Sequence, residues 1–141
     1  MGGRLLHWMD IAAAITAHRH SKRTCVTAAV NNVSFDHAIP RGSIVTLEAN
    51  ISRSFSSSME IFIDVWIEDR ISGNKTKCNE AIYTFVAVDE MGRPTKVCKV
   101  NPESKLEKSR YDGALRRRQL SLILDGKLNA DDASELKALF K

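Results

Sequence analysis

The sequence predicts an α+β fold, in which one long central helix is wrapped by a curved antiparallel sheet and a helical extension follows after residue 100. Three observations predict it. Residues 4–19 are rich in alanine and leucine and apolar on nearly every face, the pattern of a helix buried on most sides. Residues 43–52 and 59–67 alternate between apolar and polar side chains, as half-buried strands do. Breaker clusters leave the strands short connections, which favours antiparallel pairing over helical crossovers.

After the helix, residues 25–35 read as a first strand. In residues 43–52, Val45, Leu47, Ala49 and Ile51 share one face, and Thr46, Glu48, Asn50 and Ser52 the other. In residues 59–68, Met59, Ile61, Ile63, Val65 and Ile67 form an inward set. Glu60, Phe62, Asp64, Trp66 and Glu68 point outward, and two large aromatics there imply that the outer face is not fully solvated. Residues 79–89 are apolar on both faces, as a central covered strand is. Turns fall at Ile39-Pro40-Arg41-Gly42, at residues 54–58, at residues 71–75 and at Met91-Gly92-Arg93-Pro94. Residues 1–100 thus form the main domain and residues 101–141 a helical extension. In the extension, residues 103–124 return to helical spacing, Gly126 is a stop, and Asn129 or Asp131 caps a last short helix through Phe140. Leu120, Ile123, Leu124, Leu128, Leu136, Leu139 and Phe140 are expected to bury this pair of helices.

Composition excludes several classes of function. The 141 residues carry 21 basic and 17 acidic side chains and are 43% apolar, with no apolar run near the ~18 residues of a membrane span. The net charge of +4 is spread evenly along the chain, which argues against nucleic acid as a partner. Arg116-Arg117-Arg118 is the local exception. Cys25, Cys78 and Cys98 are odd in number and widely spaced, so reduced thiols in a cytoplasmic protein are expected rather than a disulfide framework or a zinc site. The start lacks the features of a signal peptide, which agrees with the cytoplasm. His18, His20 and His37 have no carboxylate or cysteine at ligand spacing, and no metal is expected.

Asp10 is the odd residue of the first helix, with Leu6, Met9, Ala13, Ala14 and Ala17 as its neighbours at helical spacing. A charge buried there costs several kcal/mol unless it is paired or hydrogen-bonded. A structural role has it bonded to nearby backbone or to Arg4; a chemical role has its orientation set for work on water. At the mouth of the same helix, the backbone N–H groups of Gly2-Gly3 and the positive end of the dipole suit a developing oxyanion. Gly3 and Asp10 are seven residues apart, or about 10 Å along a helix. One carbonyl cannot meet both from a single chain, so cooperation requires an antiparallel second copy and a site shared across a homodimer.

The order Gly2-Gly3-Arg4-Leu5-Leu6-His7-Trp8-Met9-Asp10-Ile11-Ala12-Ala13, then Val33-Ser34-Phe35, then Ser57-Ser58-Met59-Glu60-Ile61, then Tyr83-Thr84-Phe85-Val86-Ala87-Val88-Asp89 resembles the hot-dog fold acyl-CoA thioesterases. The resemblance covers roughly residues 2–97 and is nearest the acyl-CoA hydrolase branch of bacterial YciA-type and brain acyl-CoA hydrolase enzymes. It implies the hot-dog fold, dimers that share two active sites, and assembly of those dimers as trimers. It implies that Asp10 is the catalytic carboxylate, activating water or attacking directly, and that the amide side of Gly2 and Gly3 polarises the thioester carbonyl. Acyl-CoA is then the substrate, with coenzyme A part of it and no separate cofactor. Arg53, Ser57, Ser58 and Arg93, with Arg116 more remote, become candidates for contacts to coenzyme A. Trp8, Met9, Phe35 and Met59 become the acyl pocket. His7, one turn before Asp10, reads as a core histidine.

The pattern departs from the family in two places. Family members carry a strand and an Asn-bearing loop ahead of the paired glycines, whereas this sequence begins at Met1, which predicts an exposed sheet edge. The basic residue of the family's loop before Met59 is replaced by Ser56, with Arg53 nearby as a substitute. These departures keep a non-catalytic acyl-CoA-binding module open beside the hydrolase. Two further readings remain, a scaffold working through the extension and a dehydratase or isomerase on the same fold.

Overall fold

The structure, a computed structural model, describes residues 2–31, 33, 37–134 and 138. The chain divides into two compact units, Met1–Lys99 and Val100–Lys141. No helix among the described residues is long and apolar enough to cross a membrane.

The first unit opens with helix α1, Gly2–Ser21. Leu5, Met9, Ala13 and Ala17, at four-residue spacing, are its buried stripe, and the alanines let the helix axis lie close to the sheet. The expectation of burial on most sides is corrected here, because the sheet covers one side of the rod. Trp8, Ile11 and Ile15 are 43%, 44% and 51% exposed. His18, Arg19 and His20 in the last turn suit the negative end of the dipole. Lys22, at φ 55°, ends the helix by donating its N–H to His18 O at 2.8 Å.

Four strands follow: β1 Thr24–Asn31, β2 Ile44–Ser54, β3 Ser58–Glu68 and β4 Lys75–Val88. They form one sheet in the order β1-β4-β3-β2, with every neighbour antiparallel. The strand expected over residues 25–35 is thus observed as Thr24–Asn31, while residues 32 and 34–36, Phe35 among them, lie outside the described residues. Register shifts at Thr27/Ala29, Ile51/Arg53 and Val65/Trp66 add the local twist that bends strands around a helix. Met59 pairs with Phe85, Ile61 with Tyr83 and Ile63 with Ala81. All six are buried and form the core with the α1 stripe, and the Tyr83 and Phe85 rings stack at 6.3 Å.

The outward set is covered as well, with Glu60, Phe62, Asp64 and Ile82 buried. Lys77 Nζ reaches Asp64 at 2.8 Å and Glu80 at 2.6 Å. Burial pulls its ammonium down, and the two carboxylates outweigh that and hold it above the ordinary lysine value.

In the second unit, α2 spans Lys105–Leu124 and starts with a capping box. Ser104 accepts from Glu107 N, and the Glu107 carboxylate accepts from Ser104 N at 3.0 Å. Gly126, at φ 72°, ends it as a glycine stop should, with Lys127 N donating to Leu122 O at 2.8 Å. Leu120 and Leu124, expected to be buried, are 44% and 78% exposed, because α2 turns charged and polar residues through every face and has no continuous apolar stripe. Asn129 stands at the N-cap position of a short 3-10 turn, Ala130–Asp132, without a capping hydrogen bond from its side chain. Leu136, Leu139 and Phe140 lie outside the described residues.

The wholly buried Ala13 leaves no room for a larger side chain. Ala13→Leu is expected to destabilise the protein by ~1–3 kcal/mol through overpacking, read as a lower urea midpoint at unchanged slope. An unchanged midpoint contradicts the packing of α1 on the sheet.

Candidate active site

Asp10 lies in the third turn of α1, half-buried. Thr27 Oγ1 donates to its Oδ1 at 3.1 Å. Thr27 turns toward the helix because it sits opposite Phe85, an inward residue of β4. The expected partners, nearby backbone or Arg4, are therefore corrected: the carboxylate is held by a hydroxyl from across the fold. Its full burial is corrected too, because β1 is an edge strand and solvent reaches past it. Tyr83 OH donates to Leu6 O at 3.3 Å. Burial, and then the negative charge of Asp10, push the Tyr83 phenol above the ordinary tyrosine range.

Gly2 is the first residue of α1, and a Cβ built on Gly3 meets nothing within 4 Å. No acidic residue stands in the first turn, while Arg4 does, so the positive end of the helix is left for an external anion or oxyanion.

The loop between β2 and β3 is tied at the opposite end of the helix. Phe55 N donates to Ser58 O at 2.8 Å, Ala87 N to Ser57 O at 2.9 Å, and Val97 N to Ser56 O at 2.9 Å. Ser54 Oγ donates to Cys98 O at 2.8 Å, and His20 Nε2 lies 2.9 Å from the same oxygen. Ser57 is half-buried and Ser58 buried. The Arg53 guanidinium stacks over the Phe55 ring at 5.9 Å. His20, beside this loop, is 17 residues from Gly3, or about 25 Å of helix. One chain therefore does not bring the glycines and the serines together.

Of the remaining candidates, Trp8 lines a cavity of about 560 Å³ with Arg4, Leu5, Ile39 and Val45. Met9 and Met59 are wholly buried in the core, and Phe35 lies outside the described residues. Arg93 is 74% exposed and pairs with Asp89 at 3.3 Å; Arg116 belongs to α2, and His7 is exposed rather than in the core, on the face of α1 that the sheet leaves open. Sequence reasoning missed Thr27 and Tyr83 as neighbours of Asp10. Thr27 shares the inward parity of Cys25, and that was the available signal.

The family model described as the thioesterase superfamily matches residues 1–73. "Acyl-coenzyme A thioesterase 11" of Mus musculus is 38% identical over 121 residues, covering 86% of this chain and 20% of that protein. The chain thus spans a fifth of that relative's length. "Protein VdlD" of Helicobacter pylori is 36% identical over 119 residues, covering 84% of this chain and 68% of that protein. Among solved structures, an acyl-CoA hydrolase from Bacillus cereus superposes with a TM-score of 0.85 at 32% identity, over 99% of this chain and 82% of that one. An acyl-CoA hydrolase from Staphylococcus aureus, in complex with butyryl coenzyme A, coenzyme A and coenzyme A disulfide, gives 0.81 at 32% identity, over 100% and 84%. An apo-hexameric acyl-CoA thioesterase gives 0.81 at 34% identity, over 84% and 76%.

Tyr83 reports on the charge of Asp10. In Asp10→Asn its ionisation is expected at lower pH than in the parent, followed by ultraviolet difference titration with Tyr83→Phe as the blank. An unmoved Tyr83 titration contradicts the electrostatic contact.

Proposed function

This chain belongs to the thioesterase superfamily and has its hot-dog fold, and on that premise we propose that it hydrolyses acyl-coenzyme A thioesters, with Asp10 activating the attacking water. The observation that carries the assignment is the half-buried Asp10 carboxylate, oriented by Thr27 at an open strand edge. Asp10 takes a proton from water as the water oxygen bonds to the thioester carbon. The oxyanion is held by the amides at the start of α1. Collapse breaks the C–S bond, the electron pair leaves on the coenzyme A sulfur, and Asp10 returns the proton to it. A free carboxylic acid and free coenzyme A result. Weak resonance in the thioester makes its carbonyl a good target.

The site is shared between two copies of the chain. Asp10 of one copy stands beside Gly2 and Gly3 of an antiparallel second copy, since the two features are about 10 Å apart on one rod. In that arrangement the loop at residues 54–58 lies about 15 Å farther along the helix from Asp10, on the side where the coenzyme A arm leaves. Arg53, Ser57, Ser58 and Arg93 then meet the arm and its phosphates. Trp8 flanks the acyl chain, and Met9 and Met59 form the floor beneath it. The open face of α1 and the β1 edge, where Val26 and Val30 are 49% and 44% exposed, support burial against that second copy. The hexamer named for a similar solved structure supports three such dimers. Coenzyme A enters as part of the substrate, and Cys25, Cys78 and Cys98, which form no disulfide among the described residues, suit a reducing compartment such as the cytoplasm.

Ser56, standing where the family has a basic residue, favours a second reading, an acyl-CoA-binding module without turnover. Thiol release from a series of acyl-CoA esters separates the two. The parent is expected to release coenzyme A, and Asp10→Asn to lose ~10²–10⁴ in kcat at an unchanged melting temperature. Turnover independent of Asp10 overturns the hydrolase mechanism, and tight acyl-CoA binding with no release from the parent establishes the module.

A further inference from the structure

The cavity of about 560 Å³ beside Trp8 joins an apolar wall to two cations. Leu5 and Trp8 of α1, Ile39 and Val45 form the wall, Arg4 and Arg41 carry the charge, and no carboxylate is among the described residues that line it. Resting on the acyl-CoA reading above, we propose that this cavity selects acyl groups whose far end is itself a carboxylate. Short dicarboxylic acyl-CoA thioesters are then preferred over neutral acyl-CoA thioesters of similar length.

The helix places the cavity on the acyl side of the thioester. In the shared site the carbonyl lies at Gly2 and Gly3 of one copy, and the coenzyme A arm leaves along the other copy's helix, toward that copy's residues 54–58. The helix that supplies the glycines runs the opposite way, so its own residues after Gly3 follow the acyl chain. Arg4 is next to Gly3, and Trp8 is five residues beyond Gly3, or about 7.5 Å along the rod. A chain of a few methylenes laid from the carbonyl against Leu5 and Trp8 ends inside the cavity that the two arginines line.

Arg41 is set in place by a tight turn. Ser43 N donates to Pro40 O at 3.2 Å, and Gly42, at φ 88°, takes the left-handed conformation needed at the third position of such a turn. The Arg70 guanidinium lies 3.6 Å from the place of a Cβ on Gly42, and Arg41 occupies the corner before it. Neither Arg4 nor Arg41 pairs with a carboxylate among the described residues, so both can meet an incoming one. An apolar wall alone rejects a carboxylate, because the charge loses its water. Two guanidinium groups facing the same space reverse that, since each offers a fork of donors matched to a carboxylate. A neutral chain gains only the wall.

The test compares kcat/KM of the full chain for glutaryl-CoA and hexanoyl-CoA by thiol release, and the Kd of both esters on Asp10→Asn by titration calorimetry. The parent is expected to favour glutaryl-CoA at least ~10-fold, and Arg4→Gln with Arg41→Gln together to bring the ratio to about one. Arg19→Gln removes the same charge from the last turn of α1, and its ratio is expected to equal the parent's. A parent ratio near one, a ratio that survives the double substitution, or a ratio lost equally in Arg19→Gln overturns the inference while the hydrolase reading stands. If neither ester is hydrolysed, the hydrolase reading falls and the calorimetry decides. Tighter binding of glutaryl-CoA that depends on the two arginines then keeps the inference for the binding module, and equal affinity overturns it as well.

Discussion

A straight α-helix fixes the distance between its own amide terminus and any carboxylate farther along it, and that rigidity governs the rest of this molecule. Gly3 and Asp10 ride one rod about 10 Å apart. Thr16 Oγ1, 3.4 Å from Ala49 O, and Tyr83, bonded to Leu6 O, hold the rod against the sheet. No rearrangement of side chains within one copy brings the two features to the same carbonyl. The sheet curves to cover one side of the rod and leaves Trp8, Ile11 and Ile15 exposed on the other. In the proposed shared site, a second copy covers that side and supplies the other half of the chemistry.

The sheet divides labour between its faces. The inner face is an apolar contact with α1, where alanines at positions 13 and 17 set how near the helix can approach. The outer face keeps Glu60 and Asp64 buried, at a desolvation cost that hydrogen bonds and the Lys77 ammonium offset. Stability is thus shared with the outer face, while the groups assigned to chemistry stand at the ends and open edge of the inner layer. Thr27 belongs to that edge, where a polar group can hold a carboxylate and still leave it reachable by water.

Much of this was legible in the sequence, for identifiable reasons. Alternation in residues 43–52 and 59–68 marked β2 and β3 because each has one apolar face, and residues 79–89 marked a central strand because both faces are apolar. Asp10 stood out as a charge among alanines and leucines. The open side of α1 was not legible, since apolarity counts the faces that want cover and does not say which of them receive it within one chain. Thr27 and Tyr83 escaped because their contacts to α1 depend on strand order and register. His20 and Cys98 escaped for the same reason, being 78 residues apart in sequence. In the extension, Leu120 and Leu124 looked buried because leucines at helical spacing were read without the charged and polar residues that share α2 with them.

The sharing of one site between two copies is tested most directly by mixing two inactive variants. Asp10→Asn removes the base. Gly3→Pro removes one backbone N–H in the first turn, where proline is tolerated. After equal amounts are denatured and refolded together, random pairing is expected to restore thiol release to about a quarter of the parent's, because half the dimers carry one intact site of two. A mixture as inactive as its components contradicts a site built from both copies.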